Sequence, residues 1–158
     1  MAWLSNIFNR VLNVFRKWWQ RWVKRRFLKS LESEAAEKFL KLLLKLMSLT
    51  FKLDKDFRRN IDGFKGRYQF RTVDNSVTVA AIFTGNGLKV KEKLIPDPDV
   101  SVVFKDRRSL MNYLLTTDRD ILKLVLNNEV ALKGNMNYIL KFGYMATHIQ
   151  LSVTGALP

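Results

Sequence analysis

The sequence predicts an α+β domain, a mainly antiparallel sheet of five strands covered on one side by helices and preceded by amphipathic helices. Three observations carry this. Apolar residues recur at helical spacing through the first third of the chain and again after residue 108. Between residues 67 and 105 they alternate at strand spacing. Short polar and glycine turns separate the alternating runs. The resulting order, α-β-β-β-β-α-α-β-α, is that of a sheet with helices gathered on one side. At 158 residues, 47% hydrophobic and 12% aromatic, the chain has enough apolar content for one packed domain with an appendage.

The appendage comes first. Leu4, Ile7, Phe8, Val11, Leu12, Val14, Phe15, Trp18, Trp19, Trp22 and Val23 fill one half of a helical wheel. Asn6, Asn9, Asn13, Arg16, Lys17, Gln20, Arg21 and Lys24 fill the other. Residues 1–31 contain Arg10, Arg16, Lys17, Arg21, Lys24, Arg25, Arg26 and Lys29 and no acid. Eight of the fourteen net positive charges therefore lie here, leaving six for the rest. Tryptophan on one face and cations on the other describe a helix lying in an anionic membrane interface. Its expected contacts are Trp3, Phe15, Arg16, Lys17, Trp18, Trp19, Arg21, Trp22, Lys24, Arg25 and Arg26. Nucleic acid is not expected as a partner, because readers of single strands interleave aromatics and cations on one surface. Packing against the chain's own domain, docking to a protein partner and mitochondrial targeting fit the same pattern and stay open. The division expected is an arm over residues 1–29 and a domain over residues 30–158.

Ser30 can cap a second helix, with Glu32, Glu34 and Glu37 near its positive end. Phe39, Leu40, Leu43, Leu44 and Met47 make its apolar stripe, and Phe51, Leu53, Phe57 and Ile61 continue it irregularly to a stop at Asp62-Gly63. Tyr68, Phe70 and Thr72 then alternate with Arg67, Gln69 and Arg71. Asp74-Asn75-Ser76 turns the chain into a strand from Val77 to Thr84, and Gly85-Asn86-Gly87 turns it again. Leu88, Val90 and Leu94 alternate with Lys89, Lys91 and Lys93, a basic strand face that suits a solvated, lysine-guarded edge. Pro96-Asp97-Pro98-Asp99 reads as a rigid turn rather than a carboxylate site. A strand from Val100 to Lys105 follows, then a helix over Ser109 to Leu115. A further helix capped at Thr117 or Asp118 carries Ile121, Leu122, Val125 and Leu126 and is stopped by Asn127-Asn128. Val130 to Leu132 is a short strand. Lys133-Gly134 turns it, Gly134 being free to take positive φ, and Asn135 caps the last helix. On that helix Met136, Ile139, Leu140, Phe142, Gly143 and Ala146 share one arc.

Lys133-Gly134-Asn135-Met136 with its apolar helix resembles the closing strand and helix of the sterol carrier protein 2 (SCP2-like) lipid-binding domain. Pro98 to Asp106 is similar to that family's fourth strand, and Ile61 to Phe70 to the approach to its first. The resemblance runs in order from about residue 50 to 150. It departs where the family has a glycine-containing turn between two helices, since Thr116-Thr117-Asp118 stands there. The resemblance implies a tunnel for a hydrophobic lipid (sterol, fatty acyl or isoprenoid), enclosed by helices on the sheet. Phe83, Phe104, Leu110, Tyr113, Leu114, Leu122, Val125, Met136, Ile139, Leu140 and Phe142 are the expected lining, with the soft side chains of Met111, Met136 and Met145 in or beside the lid.

Chemistry is sparse. With no cysteine there is no disulfide or thiolate site, and His148 alone cannot build a multi-histidine metal centre. His148 reads as a satisfied or solvent histidine. No nucleophile–base pair, phosphate loop or metalloprotease motif is present. The expectation is a binder that is not an enzyme and uses no cofactor or metal. It would transfer or present a lipid at an anionic membrane, or serve as an accessory protein of lipid or isoprenoid-quinone synthesis with a protein partner. No apolar run reaches the about 18 residues of a membrane span, and Phe39 to Leu49 is broken by Lys41 and Lys45. A cytoplasmic protein peripheral to the membrane is therefore expected. Peroxisomal import is not, since Ala156-Leu157-Pro158 is unlike a Ser-Lys-Leu signal.

Overall fold

A computed structural model describes residues 33–115 and 121–154 of the chain. The expected arm at residues 1–29, its membrane-contact residues, the Ser30 cap and the loop at Thr116-Thr117-Asp118 lie outside the described residues. The described part opens with α1 (Ser33–Leu53), a short α2 (Lys55–Arg58) and a 3-10 turn (Arg59–Ile61). Strands β1 (Lys65–Thr72), β2 (Thr78–Thr84), β3 (Leu88–Lys91) and β4 (Val100–Phe104) follow. Then come α3 (Arg107–Leu115), α4 (Ile121–Leu126), β5 (Val130–Gly134) and α5 (Met136–Thr154).

The α1 stripe is buried as its spacing predicts. Phe39, Leu40, Leu43, Leu44 and Met47 all face the core, and Phe51, Phe57 and Ile61 extend it. Leu53 instead faces solvent. There the chain leaves the helix and restarts at Asp54, whose side chain accepts the N–H groups of Asp56 and Phe57. The turn residues behave as their chemistry requires. Asn75 and Asn128 take positive φ, as do Gly63, Gly85 and Gly134. Helix α3 starts at Arg107, two residues before the expected Ser109, because Asp106 Oδ1 accepts the Ser109 N–H at 2.8 Å. That backbone hydrogen bond holds the Asp106 carboxyl below its ordinary pKa.

The strand order is β3-β2-β1-β4-β5, with β1 and β4 parallel (Tyr68↔Val100, Phe70↔Val102) and the other three pairs antiparallel. A parallel pair cannot be joined by a tight turn, so the chain must cross from the β3 edge to β4 over a face of the sheet. This ends β3 at Lys91. The alternation expected to continue through Lys93 and Leu94 belongs instead to the crossing strap, with Leu94 exposed. Under the strap Gln69, on the outward side of β1, is only 2% exposed. Its Oε1 accepts the Ile95 N–H at 2.9 Å, and its Nε2 donates to the Val79 carbonyl at 3.1 Å. The Arg67 guanidinium donates to the carbonyls of Pro96 and Asp97, and the Arg67 N–H donates to Asp99 Oδ2 at 2.7 Å. The Pro-Asp-Pro-Asp segment is thus the tether of the strap.

A second polar knot closes the β1–β2 turn. The Thr72 and Ser76 hydroxyls both donate to Asp74 Oδ1, at 2.6 and 2.7 Å, and Arg107 Nε donates to Ser76 Oγ at 2.8 Å, fastening the turn to the start of α3. The Thr72 hydroxyl, with that of Ser76 and its N–H, lowers the Asp74 pKa to about 2. A carboxyl whose folded pKa lies below its unfolded value stabilises the protein above the unfolded value, about 4, and loses that contribution as pH falls to about 2. Asp74→Asn is therefore expected to flatten the fall in urea midpoint between those two pH values, read against the parent chain. An unchanged pH slope would show that the knot adds nothing to stability.

Candidate functional site

The inward side of the sheet and the helices laid over it form one apolar layer. Tyr68, Phe70, Val79, Ala81, Phe83, Val100, Val102 and Phe104 supply the sheet side, and α1, α3 and α5 supply the other. Aromatic rings run through it in sequence. Phe51 meets Phe83 at 6.2 Å between centroids, Phe83 meets Tyr68 at 5.3 Å, and Phe142 of α5 meets both Tyr68 (5.7 Å) and Phe70 (4.8 Å). Phe64 and Tyr138 close one end edge to face at 4.9 Å, with Lys141 Nζ over the Phe64 ring at 4.6 Å. Phe104 and Tyr113 pair beneath α3 at 5.6 Å.

One hydroxyl in this surface ties the sheet to a helix. Tyr68 is fully buried and donates its phenol proton to the Tyr138 carbonyl of α5 at 2.8 Å. Burial pushes its pKa up, so the phenol stays protonated and remains a donor. Among the described residues no buried side-chain nitrogen or oxygen lacks a partner, and no group of three or more His, Asp or Glu stands together. The layer is equipped chiefly for apolar contact, with the Tyr68 hydrogen bond tying β1 to α5.

The residues expected to line a tunnel divide in two. Phe83, Phe104, Leu110, Tyr113, Leu114, Ile139 and Phe142 are buried together in the layer, and Val125 packs partly against it. Leu122, Met136 and Leu140 do not join them. They are 54%, 40% and 57% exposed. The last helix is rotated from its expected phase: Ile139, Phe142, Met145, Ala146 and Ile149 face the sheet, while Met136, Leu140 and Tyr144 form a stripe on the solvent side. Helix α5 has apolar residues on two sides, and spacing alone cannot choose between them; the contacts of Phe142 with β1 do. Of the methionines, Met145 is buried, Met111 is half-buried and Met136 is exposed. Sequence reasoning missed Tyr68, Phe64 and Tyr138 as parts of the layer. Strand alternation turned Tyr68 inward, but nothing local pairs its hydroxyl with a carbonyl 70 residues away. His148 lies within α5 and stacks on Phe57 at 4.8 Å.

With this geometry the molecule falls in a class: a mixed five-stranded sheet covered on one side by helices over an apolar layer, the SCP2-like fold. Among solved structures it is similar to the SCP2 domain described as the UbiJ-SCP2 ubiquinone synthesis protein, at 19% identity and a TM-score of 0.53, over 78% of this chain and 95% of that one. It is also similar to sterol carrier protein domain 2 of Helicoverpa armigera (18% identity, TM-score 0.46, 75% and 89% covered). A stereoselective inverting sec-alkylsulfatase of Pseudomonas sp. matches at 19% identity and a TM-score of 0.45 over 63% of this chain, which spans only 15% of that enzyme. No family model and no curated protein matches the sequence. No helix among the described residues is long and apolar enough to cross a membrane.

Proposed function

We propose that this chain is a non-enzymatic lipid-binding protein that transfers or presents a hydrophobic lipid at an anionic membrane surface. Residues 30–158 are the lipid-binding domain, and residues 1–29 are the basic amphipathic helix that holds it at the membrane. The observation that carries this reading is the apolar layer itself: aromatic and soft side chains from β1, β2, β4, α3 and α5, with the Tyr68 phenol tied to α5. A lipid taken up there separates helix from sheet. A Tyr138 carbonyl released from Tyr68 leaves a donor for the lipid's polar end, while the chain slides among rings and methyl groups. Helix α5 is the element to move, since its outer side is solvated and its inner side rests on rings.

Organic extraction of the purified full chain followed by lipid mass spectrometry tests the proposal most directly. A fluorescent fatty acid or sterol is expected to bind saturably and to be displaced by the unlabelled lipid. Ala146→Trp places a large ring on the inward side of α5, where Ala146 is buried. It is expected to lower that affinity at least tenfold at a stability cost of about 1–3 kcal/mol. No saturable binding of any lipid class sinks the proposal.

A second reading keeps the lipid site and makes residues 1–48 a docking surface for proteins of isoprenoid-quinone or other lipid synthesis. The stripe of Met136, Leu140 and Tyr144 on the outer side of α5, outside that segment, would extend such a docking surface. This second reading predicts that the lipid is released to a partner enzyme and not to acceptor vesicles.

A further inference from the structure

The five strands contain no acidic residue, although the chain has fourteen. They contain six cations: Lys65, Arg67 and Arg71 on β1, Lys89 and Lys91 on β3, and Lys133 on β5. Pairing register puts all six on one side. Arg67 lies opposite Ile82, which lies opposite Lys89. Gln69 lies opposite Ala80, which lies opposite Lys91, and on its other flank Ser101, which lies opposite Lys133. Lys65 and Arg71 share the parity of Arg67. The residues between them (Tyr68, Phe70, Phe83, Val102) point into the helical layer, so the cations occupy the opposite side, which no described helix covers. None of the six forms an ion pair with a described carboxylate. Of the acids bordering this side, Glu92 is paired with Lys41 at 3.1 Å and Asp99 accepts the Arg67 N–H, while Asp97 stands exposed on the strap and Glu129 precedes β5.

We infer that this helix-free side of the sheet is a second docking surface for the anionic headgroups of a lipid bilayer, so that the domain lies on the membrane sheet side down. The inference rests on the reading that the chain works at an anionic membrane. The residue types select this partner over two others. Protein interfaces are depleted in lysine and enriched in aromatic residues. Here the four exposed cations, Lys65, Lys89, Lys91 and Lys133, are all lysines, and no aromatic side chain projects from the strands on this side. Single-stranded nucleic acid needs stacking rings, which are missing for the same reason. Lysine is a mobile point charge, suited to phosphates that have no fixed spacing. The strap adds Lys93 and the exposed Leu94 to the same side, an apolar side chain among cations that can enter the headgroup layer. The geometry has a consequence for the lipid site. The helical layer faces away from the bilayer, and its exposed stripe on α5 is presented to the water side.

The chain itself supplies the means of testing this. All four tryptophans, Trp3, Trp18, Trp19 and Trp22, lie in the arm, and there is no cysteine. Tryptophan emission therefore reports the arm alone, and Lys91→Cys or Tyr144→Cys carries a polarity-sensitive dye at one chosen place on the full chain. Both are titrated with phosphatidylglycerol–phosphatidylcholine vesicles and with phosphatidylcholine alone. The expected result is a blue shift of the arm and of the dye at position 91, none at position 144, and none on neutral vesicles. Lys89→Glu, Lys91→Glu and Lys133→Glu together are expected to weaken binding more than about tenfold. The matched triple Lys45→Glu, Lys52→Glu and Lys55→Glu on the helical side changes it about twofold or less. Urea midpoints confirm that both triples fold.

An arm that responds while the dye at position 91 stays in water overturns the inference and leaves the membrane arm standing. A dye that responds at position 144 instead overturns the orientation, and equal losses in the two triples reduce the effect to bulk charge. Silence of both arm and dye removes the membrane reading itself. A dye at position 91 that responds to RNA or to an acidic polypeptide, and not to vesicles, assigns the surface to that partner and overturns the lipid assignment.

Discussion

Deletion of residues 1–28 is expected to leave the urea transition of the domain in place and to lower its affinity for anionic vesicles at low salt by at least a hundredfold. The first half of this expectation follows from the core. The buried cluster runs from Ala36 to Ile149, and each strand and long helix of the described fold contributes to it. The segment removed carries seven of the arm's eight cations and all four tryptophans. At about 1 kcal/mol per cation near an anionic leaflet, the loss of even half the charge contacts exceeds a hundredfold, before the apolar half of the helix is counted. If the arm binds through surface charge, binding of the full chain is expected also to weaken as salt shortens the screening length from about 30 Å at 0.01 M to about 8 Å at 0.15 M. Vesicle co-sedimentation across a salt series measures both. A truncated chain that is insoluble or unfolds early would make residues 1–28 a structural helix of the domain, and the membrane reading would fall.

Gly134→Ala is expected to cost about 3 kcal/mol or more of stability, a large loss for a single methyl group. Gly134 ends β5 at φ +108°, a backbone region that side chains rarely adopt. It is also jammed against the neighbouring strand. A Cβ there would lie 2.0 Å from the Asp99 carbonyl oxygen, 2.9 Å from its carbon and 3.0 Å from Val100 Cα. These are backbone atoms at the start of β4, where Asp99 also accepts the Asn135 N–H at 3.2 Å and ties the strap to β1 through Arg67. The methyl group must push β4 from β5 or tilt the first turn of α5, and either loosens the helix that covers Tyr68. Urea unfolding of the full chain measures the loss, and lipid binding should fall with it. Gly143, where an added Cβ meets nothing within 4 Å, is the control: Gly143→Ala should be neutral or slightly stabilising within its helix. A Gly134→Ala chain as stable as its parent would mean that β4 and β5 separate at no cost.

Much of this protein is written locally. The stripe from Phe39 to Met47, the inward alternation of Tyr68, Phe70 and Thr72, the left-handed turns at Gly63, Asn75, Gly85 and Asn128, and the Asn135 cap depend on neighbours no more than four residues away. A single sequence is enough to place them. The lysines of β3 and the basic alternation of β1 were legible in the same way. Their union was not, because it depends on which strands pair.

What only the tertiary structure decided is each choice between equivalent local options. The β3-to-β4 segment alternates well enough to continue a strand, yet parallel pairing of β1 with β4 sends it across the sheet, burying Gln69 and exposing Leu94. Helix α5 has apolar residues on two sides, and the rings of Tyr68 and Phe70 select the side bearing Phe142 and Met145, which leaves Met136 and Leu140 outside. The sequence by itself determined the elements of the described fold, their order and their turns, since periodicity and φ preference act within a few residues. Register, the crossing strap, the phase of the last helix and the gathering of six cations on one side of the sheet are set by contacts between different segments of the chain, and no local pattern encodes them.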